Sequence, residues 1–291
     1  MEKSKFKAKS EFRYWFLRKG TTSDFAVIDT IDEKHIADLI MGVDVKTLSA
    51  DMPAEMYEDM KSRIHADYAE FIKRPEFIIG TKVPDELLTD TPIDKERRNK
   101  MKSYCDMFIR GCCHKLYDES VASRYSERAI KWLNSTDFYD APASTRYHDA
   151  DPSGLLRHTL KVVNRTIDLT TIDLFKSVDI AEAVLVAIVH DFCKINIYES
   201  FMRNVKDDIT GEWTKVASYK HKPSDYSFGH GGSSLYMAEK LFKFTLEQAH
   251  AIRWHMGVYV VSDYERSDLF NASERYPMVR LMQMADQLSI I

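Results

Sequence analysis

Residues 183–194 read AVLVAIVHDFCK, and the way this stretch ends decides how the rest of the chain is read. From Ile180 to Val189 the residues are apolar nearly all round, which predicts a helix buried on every side. That helix delivers adjacent His190 and Asp191 straight from the core. Burying such groups without partners costs several kcal/mol for a charged one, so partners are expected. A lone His-Asp pair also has a plainer reading, in which the His caps helix carbonyls and the Asp is solvated. Its companions decide between the two.

Two companions stand out. His158 falls on the apolar stripe of an amphipathic stretch, Leu155 to Leu169, together with Leu155, Val162 and Leu169. A satisfied core histidine is the usual occupant of such a position. Asp286 lies in MVRLMQMADQL, on the face marked by Val279 and Met282, where a carboxylate needs a cation. The four groups offer two neutral imidazoles and two carboxylates, a donor set suited to Mn, Fe, Ni, Co or Zn, with Mg possible. Calcium prefers oxygen alone.

With GLLRHTLKV around His158, HDFCK after the buried helix and MADQL near the end, the pattern resembles the metal-binding signature of the HD-domain phosphohydrolase superfamily. His230 in FGHGGSSLYMAEK and His255 in AIRWHMG match the further histidines of its binuclear members. The resemblance implies a helical HD domain with one metal held by His158, His190, Asp191 and Asp286. Asp191 would bridge to a second metal held by His230 and His255. Two divalent transition metal ions about 4 Å apart polarise a phosphoryl oxygen and lower the pKa of a shared water, whose hydroxide attacks phosphorus. Lys194 stands where related enzymes often present a phosphate-binding lysine. His148 and Arg157 flank the first ligand helix, His148 as a proton donor to the leaving oxygen or a phosphate contact and Arg157 as a substrate contact. Asp191, Lys194 and His148 are thus the expected catalytic residues. His250, five residues before His255, points about 140° away on a helix and is not expected at the same metal.

The segment DFYDAPASTRYHDADPSGLLRHTLKV is also similar to HD-domain 3′–5′ exoribonucleases, which usually carry an N-terminal OB fold. Residues 1–120 read mostly helical here, so stand-alone HD hydrolases are the nearer likeness. Three functions follow as expectations. The first is hydrolysis of a phosphoester of a nucleotide or related small molecule. The second is a 3′–5′ exonuclease acting on single-stranded nucleic acid, and the third a catalytically silent nucleotide-sensing module. A second copy of the chain is a possible partner.

The remaining sequence bounds these readings. The 291 residues are 44% apolar and 30% charged with a net charge of −4, which argues against wholesale coating of nucleic acid. A basic opening, Lys3, Lys5, Lys7, Lys9, Arg13, Arg18 and Lys19, is a local exception. No apolar run approaches the roughly 18–20 residues that span a bilayer, and the expectation is a cytoplasmic protein with no membrane partner. Cys105, Cys112, Cys113 and Cys193 form no metal-binding or disulfide spacing and read as reduced thiols. A strand is expected at Phe25–Ile31 and helices at 53–74, 94–116 and 120–133. A hairpin at 201–218 turns through Asp-Asp-Ile-Thr-Gly, and helices follow at 231–244, 246–255 and 274–288. The domain reading is a mostly helical N-terminal extension over 1–120 and an HD phosphohydrolase domain over 121–291. With little chain after Asp286, N-terminal helices or a partner subunit are expected to cover the site.

Overall fold

The computed structural model describes residues 57–59, 62, 79–206 and 210–290. The chain divides into two compact units, Met1–Gly80 and Thr81–Ile291. The strand expected at 25–31 and the basic N-terminal stretch lie outside the described residues. So does the helix expected at 53–74, except for residues 57–59 and 62, which are helical.

The second unit is mostly α-helical with one small antiparallel hairpin. Helix α1 (Lys95–Leu116) starts where the Asp94 carboxylate accepts the Arg97 backbone N–H at 2.8 Å. It buries Met101, Cys105, Phe108 and Cys112, one stripe at helical spacing. Helix α2 (Glu119–Asn134) packs on it through Ala122, Ser126, Ala129 and Leu133. Packing therefore divides the chain before residue 81, and α1 belongs with the second unit rather than with an N-terminal extension.

Helix α3 (Gly154–Leu169) and helix α4 (Ile180–Val189) form the centre of the bundle. Asp179 caps α4 by accepting the backbone N–H groups of Ala181 and Glu182, and every residue from Ala183 to Val189 is buried. Neighbours account for this burial, because α4 packs against α1, α3 and the later helices α5 (His230–Glu239), α6 (Leu246–Trp254) and α8 (Pro277–Leu288). Between α4 and α5, strands β1 (Tyr198–Lys206) and β2 (Trp213–His221) pair antiparallel, Tyr198 opposite His221 and Lys206 opposite Trp213. Each is three residues longer at its outer end than the turn chemistry and β-prone flanks predict.

Two helix boundaries differ from the periodicity. The helix expected at 274–288 begins at Pro277, with a separate helix α7 (Arg266–Arg275) before it. Proline cannot donate to a preceding carbonyl and forces Tyr276 into extended backbone at φ −123°, ψ 102°, so the chain breaks there and restarts. Helix α5 ends at Glu239 rather than Phe244, and Thr245 then opens α6 with a reciprocal capping box to Gln248. Among the described residues no helix is long and apolar enough to cross a membrane.

Close backbone approach at one glycine brings two later histidines together. A Cβ on Gly231, in the first turn of α5, would collide with the Arg253 carbonyl oxygen at the end of α6. Gly231→Ala is expected to destabilise the unit by about 2–3 kcal/mol, because backbone rather than a flexible side chain must give way. Urea unfolding at neutral pH checks this as a lowered midpoint with unchanged slope.

Candidate metal centre

Six expected ligands come from five places in the fold. His158 sits in the second turn of α3, His190 and Asp191 at the end of α4, His230 at the start of α5, His255 at the end of α6 and Asp286 in α8. The structure brings all six together. His158, His190 and His255 are at most 1% exposed and Asp191 is 2% exposed.

The helix ends orient the rings. His190 follows the last residue of α4, and its Nδ1 lies 2.7 Å from the Ala187 carbonyl, one of the acceptors a helix C-terminus leaves unpaired. His255 repeats this at the end of α6, with Nδ1 2.8 Å from the Ile252 carbonyl. Each Nδ1–H donates, so each Nε2 presents a lone pair to the centre. The Ser289 hydroxyl donates to the Asp286 carbonyl at 2.6 Å and accepts from His158 Nδ1 at 3.2 Å. His158 therefore also turns a bare Nε2 inward.

Acceptors then face acceptors. His158 Nε2 stands 3.4 Å from His190 Nε2, 3.3 Å from Asp191 Oδ2 and 3.2 Å from Asp286 Oδ1. His190 Nε2 is 3.3 Å from Asp191 Oδ2 and 3.9 Å from Asp286 Oδ1. Donor atoms on a tetrahedron around an ion at 2.0–2.1 Å stand about 3.3 Å apart, and most of these edges match that spacing. The other Asp191 oxygen, Oδ1, faces His230 Nε2 at 2.8 Å and His255 Nε2 at 3.6 Å. His255 Nε2 is buried with no hydrogen-bond partner, an acceptor left for an ion or a water to satisfy. This donor set could hold a metal ion, with Asp191 placed between two groups of histidines.

The titration behaviour agrees with that crowding. Burial opposes charge on His158, but the Asp191 and Asp286 carboxylates beside its Nε2 outweigh it, favour a proton there and raise its pKa. Burial lowers the pKa of His190 despite the adjacent Asp191. Burial alone would raise Asp191, yet Lys194 and the surrounding histidines hold it well below the usual carboxylate range. Asp286 is likewise lowered, by His158 first among its partners.

The other expected residues divide. Lys194 belongs to the centre: its ammonium is 2.7 Å from Asp191 Oδ2, and that pairing raises its pKa although burial opposes the charge. The His148 ring lies 5.0 Å from that of His158, and burial, with His158 and Lys194 nearby, pushes its pKa down to about 4. It is a neutral imidazole near pH 7. Arg157 is buried and its guanidinium is committed to Asp149, to Asp151 at 2.5 Å and to the Thr89 and Thr91 carbonyls at 3.3 and 3.2 Å. Its evident work is tying the 149–151 loop and the 89–91 segment to α3. A cavity of about 1000 Å³ is lined by His148, Asp149, Arg157, Lys161 and Ser289, and it borders the centre through His148 and Ser289. His250 stacks on Tyr276, with ring centres 5.1 Å apart.

Cys193, which the sequence does not mark as a site residue, also lies at the centre. Its Sγ lies 3.4 Å from His230 Nδ1 and 3.5 Å from His230 Nε2, and it groups with Asp191 and His230. A signal was present in its spacing, two residues after Asp191 on the 3-10 turn Phe192–Lys194. The chain matches no family model, no curated protein and no solved structure.

Two outcomes are expected. Ser289→Ala removes the group that orients His158 and should weaken metal binding about 10–100-fold, as measured by competition with a chelator. For His148, the folded pKa lies below the unfolded one, so the unfolded state takes up the proton first as pH falls. His148 therefore costs stability progressively from pH 6.5 towards 4. His148→Asn should lose less stability than wild type between pH 7 and pH 5 in paired urea titrations.

Proposed function

We propose that this chain is an HD-type metal-dependent phosphohydrolase that cleaves a phosphoester of a nucleotide or related small molecule. The observation that carries this reading is the pair of donor groups meeting at Asp191. Bare imidazole nitrogens and carboxylate oxygens face one another at 3.2–3.4 Å on the Oδ2 side, and an orphaned buried His255 Nε2 lies on the Oδ1 side. The order His158, His190-Asp191, His230, His255, Asp286 supports the same reading through its resemblance to binuclear HD enzymes.

A pair of bound divalent ions would supply Lewis acidity and an activated water at neutral pH. The chain's own groups do the rest. His158, His190, Asp191 and Asp286 would hold one ion, and Asp191, His230 and His255 the other. Lys194, a buried ammonium beside Asp191, offsets negative charge where a phosphoryl group would approach. His148, neutral near pH 7, offers a hydrogen bond rather than a full charge to a phosphate or leaving oxygen.

One observation favours the exonuclease reading as an alternative. The hairpin has most of both strands exposed, carrying Trp213 at 69% exposure opposite Lys206 and two residues from Lys215. Aromatic and basic groups together suit a single strand, through stacking and phosphate contacts.

Metal analysis of the protein as purified, followed by a screen of nucleotides, other phosphoesters and labelled oligonucleotides with Mn²⁺, separates these readings. Bound transition metal and turnover of a small phosphoester are expected, with loss of at least about 1000-fold in Asp191→Ala. Release of nucleotides from oligonucleotides, with no action on small phosphoesters, would replace the proposal with the exonuclease. Nucleotide-dependent stabilisation without turnover of any phosphoester would point to the sensing module.

A further inference from the structure

We propose that Cys193 is a ligand of the second metal position, which makes that position a mixed thiolate, imidazole and carboxylate site selective for a soft divalent ion. The inference rests on the metal-centre reading above and extends it to a residue type that the HD resemblance does not supply.

The geometry around His230 carries it. Cys193 Sγ is almost equidistant from the two ring nitrogens, at 3.4 and 3.5 Å, so a thiol proton cannot lie along the lone pair of one nitrogen without sitting almost as close to the other. A sulfur and a nitrogen on adjacent corners of a tetrahedral zinc site, at about 2.3 and 2.0–2.1 Å from the ion, stand about 3.6 Å apart. The 3.5 Å separation from His230 Nε2, the nitrogen that faces Asp191 Oδ1, lies close to that edge. Ligand atoms of Asp191, Cys193 and His230 all fall within 4.8 Å of one another. An independent feature points to the same place: His255 Nε2, fully buried and unpartnered, lies 3.6 Å from the Asp191 oxygen that faces His230. Asp191, Cys193 and His230 thus make three donors, with the unpartnered His255 Nε2 next to the same carboxylate.

The local backbone holds the sulfur in register. The Cys193 N–H donates to Ser234 Oγ at 3.1 Å, which ties the 3-10 turn after α4 to the first turns of α5, where His230 begins. The remaining thiols, Cys105, Cys112 and Cys113, are buried in α1, whereas Cys193 is only part-buried. On ligation the thiol proton leaves to solvent and the sulfur binds as thiolate. Cys193 then adds a second anionic donor beside Asp191, whose charge is shared with the first position. Soft sulfur favours Zn²⁺, Co²⁺ or Fe²⁺ and disfavours Mg²⁺. The two positions would therefore differ in kind, one built from nitrogen and oxygen and the other including sulfur.

The test uses the full chain stripped of metal and titrated with Co²⁺, whose spectrum reports its ligands. Wild type is expected to show ligand-field bands together with a near-ultraviolet sulfur-to-cobalt charge-transfer band. Cys193→Ser should keep the ligand-field bands and lose the charge-transfer band. In parallel, Cys193 of the native wild-type protein should react with a thiol reagent and be protected by Co²⁺ but not by Mg²⁺, a readout that needs no variant to fold. Ligand-field bands without charge transfer, charge transfer that survives in Cys193→Ser, or a thiol that cobalt leaves unprotected would overturn the assignment while leaving the metal centre standing. Failure of wild type to bind Co²⁺ at all would overturn both.

Discussion

The Asp191 carboxylate is 2% exposed at the end of the most apolar helix among the described residues, and its two oxygens look in different directions. A charge in that place costs several kcal/mol unless it is paired and hydrogen-bonded. Oδ2 meets Lys194, His158 and His190, while Oδ1 meets His230 and His255. Helices α3, α5, α6 and α8 pack around α4 through apolar faces, and each contributes or borders a polar group aimed at this carboxylate. The core and the centre are consequently one construction. The burial that makes α4 stable also makes Asp191 dependent on its partners.

The same structural device serves twice. His190 and His255 each end a helix, and each spends Nδ1–H on a carbonyl that the helix leaves unpaired, three residues earlier. This satisfies the backbone and selects the tautomer with Nε2 inward. Ser289 does the corresponding work for His158 from the far end of α8. Such supports explain how several imidazoles can converge without donating to one another, an arrangement that a cation completes.

Much of this was legible along the chain. The apolar run before His190, the stripe carrying His158 and the face carrying Asp286 each follow from local periodicity, because a helix repeats every 3.6 residues wherever it packs. The hairpin was legible for the same reason, from turn chemistry and β-prone flanks. At Pro277 an apolar pattern runs straight through the helix boundary, although proline's missing N–H sets the break by itself. Cys193 has no other cysteine at a ligand spacing, and its neighbour His230 is 37 residues away, so no local pattern pairs the two.

By itself, the sequence determined the donor types, their order and the buried helix that presents His190 and Asp191. Those properties depend on side-chain chemistry and helical period alone. Tertiary structure decided which carboxylate oxygen faces which histidine, that Arg157 is committed to Asp149 and Asp151, and that Cys193 lies against His230. Distances between groups as far apart in the chain as His158 and Ser289, 131 residues, are set by how helices pack. No local pattern encodes that packing.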